Sequence, residues 1–295
     1  MMLPGLRLPR RVKEPRGKDL DSAVTCGKRK GICTLIILPR LQAVAFQCEL
    51  PSGSTHPCVF VCEDEEGNEA VEYVVKFRSE VRGGATGLLF EFIAAQLADS
   101  LDVPMPAPAL IELDAQLADA TPERSVAERI RASIGLNFGT RFLTPGYVTW
   151  RVNDEIPLTL RQTATDILAF DAVIDNADRR RDKPNLLWKG DELFVFDHEV
   201  AFAFTRLIGT HIPFEDTGMQ FLREHPLYAG MRGQPIDLRR FTGELEGLTD
   251  SVISSICNRV PSEFGTMYLD SIQHWLTQAR DRAQYLAGAL GRILQ

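Results

Sequence analysis

From Gln42 the chain alternates between apolar and polar residues, placing Val44, Phe46, Cys48 and Leu50 on one face of a β-strand. The polar run PSGSTH at 51–56 interrupts it, residues 57–62 resume as a second strand, DEEGN at 64–68 reads as a hairpin turn, and 72–77 form a third strand. The period then changes. Leu88, Leu89, Phe92, Ile93 and Leu97 recur at helical spacing behind Thr86 as N-cap, with Glu91 and Asp99 beside the apolar face. The prolines of VPMPAPALIEL (103–113) mark an extended passage ending in an apolar strand, with residues 111–113 near a hinge to a second lobe. Glu112 and Leu113 are therefore candidate nucleotide contacts.

Beyond 113 the pattern is mainly helical. A helix is expected from Pro122, with Ala127, Ile130 and Ile134 inward. Asn137 and Arg141 fix a turn before short strands at 141–143 and 147–150, or else contact phosphates. Residues 159–175 predict an amphipathic helix, 186–188 and 193–196 two strands around a turn at Gly190 and Asp191, 237–248 and 249–260 further helices, and 262–294 one long helix or two joined.

Charge changes the picture at the N-terminus. Residues 1–40 hold ten Lys/Arg against three Asp/Glu, leaving 23 against 37 in the other 255, so a basic leader precedes an acidic body. An acidic body argues against nucleic acid as the main partner. Residues 1–38 mix Pro, Gly and basic residues without periodicity and are expected to be disordered, or to serve as a basic contact arm. The twin arginine at Arg10 and Arg11 lacks a following apolar region, and no apolar run approaches membrane-spanning length. The six cysteines show no zinc spacing and read as reduced thiols, which points to the cytoplasm.

The chemistry concentrates at 170–204. Asp178 lies in a loop, Asn185 opens the first strand of a hairpin and Asp197 ends the second. Oxygen donors at both mouths of a hairpin suit Mg²⁺, a hard cation. Protein kinases use the same order, a base aspartate, a metal-binding asparagine, then a strand and a metal-binding aspartate. Here Asp178 and Asn185 are seven positions apart, a longer loop than theirs. Upstream, Lys76 ends the third strand, where a buried ammonium needs an anion, and Glu91 follows one turn into the helix as a candidate partner. The turn at Gly53, Ser54 and Thr55 would cover phosphates with backbone N–H groups. The expected fold is α+β, two-lobed and protein-kinase-like: the leader (1–38), a small β-rich N-lobe (39–113) and a helical C-lobe (114–295).

EYVVKF, GLLFEFIAAQLADSLDVPMPAPALIEL, GLNFGTRF, FDAVIDNADRRRDKPNLL and LFVFDHEVAF together resemble the HipA-like kinases, especially the shorter bacterial subgroup without the extra N-terminal subdomain. The resemblance covers roughly residues 40–290. It implies an ATP- and Mg²⁺-dependent kinase acting on Ser/Thr of a protein. Lys76 would contact the α/β-phosphates, Asp178 would be catalytic, Asn185 and Asp197 would hold Mg²⁺, and Ser54 and Thr55 would contact phosphate or accept it. Where the resemblance leads one to expect Asp-His-Gly, the chain has Asp197-His198-Glu199, which alters the local geometry or adds a carboxylate near the metal. Arg179, Arg180 and Arg181 would favour ionised Asp178 and stabilise a transferring phosphoryl group, or form a solvated loop tip.

Other functions stay open on the sequence. A pseudokinase would bind nucleotide as a regulatory module, and a small-molecule or lipid kinase would share the scaffold. A metal-dependent phosphohydrolase would use Asp178, Asp197 and His198 without needing Lys76. No substrate, antitoxin-like partner or oligomeric state is readable.

Overall fold

The computed structural model describes residues 35–51, 56–64, 66–67, 70–143, 146–151, 154–209 and 211–295. The basic leader and the expected phosphate-covering residues Gly53, Ser54 and Thr55 lie outside them. The fold is mixed α+β. Five strands close a barrel: β1 (Arg40–Glu49), β2 (Cys58–Glu63), β3 (Val71–Lys76), β4 (Pro108–Leu113) and β5 (Gly135–Arg141), in the order β1-β2-β3-β5-β4. All pairings are antiparallel except β1 with β4, which closes the ring in parallel.

The barrel extends past the boundary expected after residue 113, because β5 inserts between β3 and β4. Residues 135–141 are thus a strand and not a turn. Asn137 on that strand is buried, and its carboxamide donates to Ser133 O (2.9 Å) and Gly135 O (2.8 Å) and accepts from Arg78 N (2.8 Å). It fixes the entry into β5 and leaves no polar group for phosphate. Gly139 is needed where β5 crosses β4: a Cβ there would stand 2.8 Å from Ile111 Cγ1, inside van der Waals contact.

The face expected for β1 is also different. Val44 is 41% exposed and Cys48 is exposed, whereas Ala43 faces the core. Register shifts between Ala43 and Ala45 and between Phe46 and Cys48 break the alternation, as bulges do.

Helix α1 (Ala85–Ser100) joins β3 to β4 and starts after Gly84, with Thr86 already inside it. Gly83 and Gly84 take left-handed φ of 79° and 60°, the conformation the turn into α1 requires. Thirteen of its sixteen residues are buried, so α1 has no solvent face and its periodicity is masked. Its apolar side chains belong to the larger of two cores, shared with Phe170, Leu186, Ile256 and Trp275, while Phe60, Val75, Ile111 and Ile130 fill the barrel. Gln96 Nε2 and Arg259 Nη1 both donate to Ile36 O, at 3.1 and 3.2 Å, tying the chain before β1 to this larger core.

Between β4 and β5 run α2 (Ala115–Ala120) and α3 (Arg124–Ala132). Ile134, expected to face inward, lies beyond α3 and is exposed. After the barrel come β6 (Val148–Thr149), α4 (Arg161–Val173), and β7 (Leu186–Lys189) with β8 (Glu192–Val195), the three strands forming a second sheet. The remainder is helical: α5 (Tyr228–Met231), α6 (Arg239–Glu246), α7 (Asp250–Asn258), α8 (Leu269–Asp281) and α9 (Ala283–Ile293). Among the described residues no helix is long and apolar enough to cross a membrane.

Candidate active site

The β7–β8 hairpin brings the two expected metal ligands together. Gly190, at φ 57°, permits the tight turn that pairs Lys189 with Glu192 and Leu186 with Val195. Phe196 N then donates to Asn185 O (3.2 Å), setting Asn185 and Asp197 side by side with Asn185 Nδ2 3.2 Å from Asp197 Oδ2. Both residues are left-handed, at φ 48° and 62°. Glu199 is not among the positive-φ residues, so this backbone makes no demand for glycine there.

Lys76, at the end of β3, meets this hairpin from the barrel. Its ammonium donates to Glu91 Oε1 and Asp197 Oδ1 and lies 3.7 Å from Glu199 Oε2. Burial by itself would lower the Lys76 pKa, but Asp197, Glu91 and Glu199 outweigh it and hold it above the ordinary lysine value. Burial would conversely raise Asp197, but Lys76 and Lys183 hold its carboxyl well below the usual range. Glu91 is buried and is kept low by Lys76 and His198 against the same burial penalty. Glu199 is driven upward by burial, which Lys76 counters only in part. Its Oε2 is buried without a hydrogen-bond partner.

Lys183 supplies a second cation that the sequence reading does not single out. Its Nζ is 2.7 Å from Asp178 Oδ2 and 2.9 Å from Asp197 Oδ2, so it bridges the loop aspartate to the hairpin aspartate. Burial opposes its charge, yet Asp197 and Asp178 push its pKa above the ordinary value. The signal was its place two residues before Asn185, on the segment that must return from Asp178. Arg82, exposed, comes within 3.9 Å of Asp178 Oδ1.

The three arginines after Asp178 divide. Arg180 and Arg181 are exposed; Arg180 pairs locally with Asp182 (3.4 Å), and Arg181 donates across to Arg223 O (3.0 Å). Arg179 is buried and turns onto Asp171 Oδ2 at 2.6 Å, so Lys183, and not Arg179, is the cation against Asp178. Asp171 also accepts from His225 Nε2 (3.0 Å) and Asn176 Nδ2 (3.0 Å). Burial would raise Asp171, but Arg179 and His225 hold it well below the carboxylate range. An acid inside the apolar run of α4 was the available signal for Asp171; His225 had none.

His198 is fully buried, its N–H donating to Glu91 Oε1 (2.7 Å) and its Nε2 3.0 Å from Arg179 Nη2. Glu112 and Leu113 lie on β4, where Glu112 ion-pairs with Arg40 (2.9 Å) and the Leu113 side chain packs in the barrel core. The structure therefore gathers Lys76, Glu91, Asp178, Asn185 and Asp197, with Lys183 and Glu199, into one connected set.

A family model described as HipA-like kinase matches residues 45–220, more than half of the chain, and the chain belongs to that family. No curated protein sequence matches it. Among solved structures, the Helicobacter pylori proinflammatory kinase CtkA is similar over 85% of this chain and 99% of its own, at 13% identity and a TM-score of 0.47. That likeness is too distant to bear on individual residues.

The donors present fit a Mg²⁺ ion. Asn185 and Asp197 bring a carboxamide and a carboxylate, hard oxygen donors, side by side, and Lys76 on Oδ1 and Lys183 on Oδ2 hold the carboxylate oxygens that an ion would share or take. Among the described residues no group of three or more His, Cys, Asp or Glu could hold a metal ion by itself. Two protein ligands completed by phosphate oxygens and water is how Mg²⁺ is bound in kinase sites.

Proposed function

We propose that the protein transfers the γ-phosphoryl group of ATP to a serine or threonine hydroxyl of a protein substrate, in the cytoplasm. The barrel with α1 would serve as the small lobe and the helical remainder as the larger. The observation that carries this reading is the connected line Glu91–Lys76–Asp197–Lys183–Asp178, which runs from α1 through the hairpin to the loop.

Along that line each residue has a chemical task. Lys76, oriented by Glu91, would contact the α/β-phosphates. Asp178 would orient the substrate hydroxyl and accept its proton as the new O–P bond forms and the bond to ADP breaks. Lys183, between the two aspartates, would meet charge on the transferring group. Asn185 and Asp197 would hold Mg²⁺, which when bound supplies neutralising charge on the β- and γ-phosphates. Catalysis of this kind is positioning and electrostatics, which suits a site made of paired charges and few reactive groups.

His198, enclosed by Glu91 and Arg179, would orient these groups, which supports transfer over hydrolysis. A nucleotide-binding module without transfer is the second reading, favoured by Glu199, whose carboxylate stands 3.7 Å from the phosphate-binding ammonium. Incubation with γ-labelled ATP and candidate protein substrates, followed by phosphoamino-acid analysis, decides between them. Label on serine or threonine that Asp178→Asn abolishes supports the kinase. Nucleotide binding without transfer in the wild type leaves the module.

A further inference from the structure

Arg179 has five N–H donors, and the structure gives every one a partner. Nε donates to Asp171 Oδ2 (2.6 Å), and Nη2 to Asp171 Oδ1 (3.3 Å) and toward His198 Nε2 (3.0 Å). Nη1 donates to two backbone carbonyls, Asn185 O and Phe196 O, the second at 3.1 Å. Those carbonyls belong to one proposed cation ligand and to the residue just before the other. One buried guanidinium thereby grips both mouths of the β7–β8 hairpin, at the two places where the backbone is left-handed without glycine.

The grip is anchored from behind. Asp171, fully buried on α4, is the carboxylate facing Arg179, and it accepts in addition from His225 Nε2 and Asn176 Nδ2. His225 is held in one tautomer, since Leu227 N–H donates to its Nδ1 (3.1 Å) and leaves the proton on Nε2 for Asp171. On the other side, His198, whose Nε2 faces Arg179, donates its backbone N–H to Glu91 Oε1 (2.7 Å), while its Nδ1 is buried without a hydrogen-bond partner. The same network reaches the partner of Lys76 through that backbone bond.

We propose that Asp171, Arg179 and His225 act as a positioning unit that sets the cation affinity of Asn185 and Asp197, none of the three touching substrate or ion. This rests on the kinase reading above. A network that only filled the core would ask for burial and satisfied hydrogen bonds anywhere along the two strands. Here the bonds converge on the ligand residues. Groups that orient metal ligands typically change metal affinity by about 10- to 100-fold when altered. Arg179→Lys keeps the charge but loses the fork that reaches two carbonyls, Asp171 and His198 at once.

The test is Mn²⁺ titration by electron paramagnetic resonance, with a non-hydrolysable ATP analogue bound. Metal-free binding of the analogue in EDTA is measured beside it by calorimetry. The proteins are wild type, Arg179→Lys, His225→Gln and Asp197→Ala. The proposal expects Arg179→Lys to weaken Mn²⁺ binding by about tenfold or more and His225→Gln by a smaller factor. Metal-free nucleotide affinity should stay within about twofold of wild type, the direct contacts being intact. A folded Arg179→Lys protein with wild-type Mn²⁺ affinity overturns it, as does a parallel fall in Mn²⁺ and metal-free nucleotide binding. Should Arg179→Lys fail to fold, His225→Gln, which preserves the ion pair, decides by the same criterion. Wild-type protein that binds no Mn²⁺ with nucleotide overturns the kinase reading as well. Wild-type binding that Asp197→Ala removes and Arg179→Lys leaves intact overturns this proposal alone.

Discussion

Asp178 and Asp197 accept from the same cation: Lys183 Nζ lies 2.7 Å from one carboxylate and 2.9 Å from the other. The two groups proposed to handle the substrate proton and the metal are thus joined through one ammonium, where a transferring phosphoryl group would pass. Two carboxylates of like charge brought this near would repel, and the shared lysine offsets that repulsion, its own pKa raised by the pair.

Removing that ammonium should act on the chemical step. Lys183→Met is expected to lower kcat by about 10²- to 10³-fold, the loss typical of one oriented donor at a developing charge. Nucleotide affinity should change far less, and Mg²⁺ affinity should not fall, because Asp197 Oδ2 loses a competitor. Steady-state kinetics over a Mg²⁺ series would show this. A kcat within a few-fold of wild type would assign Lys183 to stability alone.

Glu199 should weigh on the site in the opposite sense. Burial, aided by Asp197 and Glu91, raises its pKa above 4.5 while Lys76 opposes. A carboxyl raised in the folded state costs stability as pH climbs through its unfolded value and is neutral below it. Glu199→Gln is therefore expected to be more stable than wild type at pH 7–8, with the difference vanishing below about pH 4.5, and to bind ATP more tightly. Urea unfolding at the two pH values and calorimetry would check both. A variant less stable at neutral pH would contradict it.

His225 gives a second, separate limb. Burial lowers its pKa below 6.5 although Asp171 pulls it up, so the folded state favours the neutral ring. Protonation would also set Nδ1–H against the Leu227 N–H that it now accepts from. Stability should fall as pH drops through 6.5, and His225→Gln should flatten that limb in thermal unfolding between about pH 6.5 and 5. Identical pH dependence in the two proteins would remove His225 from the account.

The hairpin was legible because its chemistry is written locally: Asn185, a short apolar strand, the turn at Gly190 and Asp191, a second strand and Asp197 follow one another without a break. Lys76 and Glu91 could be paired on paper because a strand end and a helix start are close along the chain. Lys183 was legible only as a lysine just before Asn185; its meeting with both aspartates depends on how the loop from Asp178 returns, which sequence spacing does not give. Nor does spacing give the inward turn of Arg179, which reads as one of three loop cations until Asp171 appears beneath it. The β5 insertion escaped for a different reason. Its pairing with β3 and β4 is non-local, and Gly139 and Asn137, which suggest a turn in sequence, serve a close strand crossing and a strand entry. Burial of α1 on nearly every side likewise hid its role as a core helix behind an amphipathic reading.

The most direct test of the central claim is calorimetric titration of ATP, with and without Mg²⁺, into wild type and Asp197→Ala. Binding that Mg²⁺ strengthens in wild type, and no longer strengthens in Asp197→Ala, is the result predicted by a site in which Asn185 and Asp197 hold the ion and Lys76 the phosphates. Equal, Mg²⁺-dependent binding in both proteins would contradict the metal assignment. No ATP binding by the wild type would contradict the kinase reading itself.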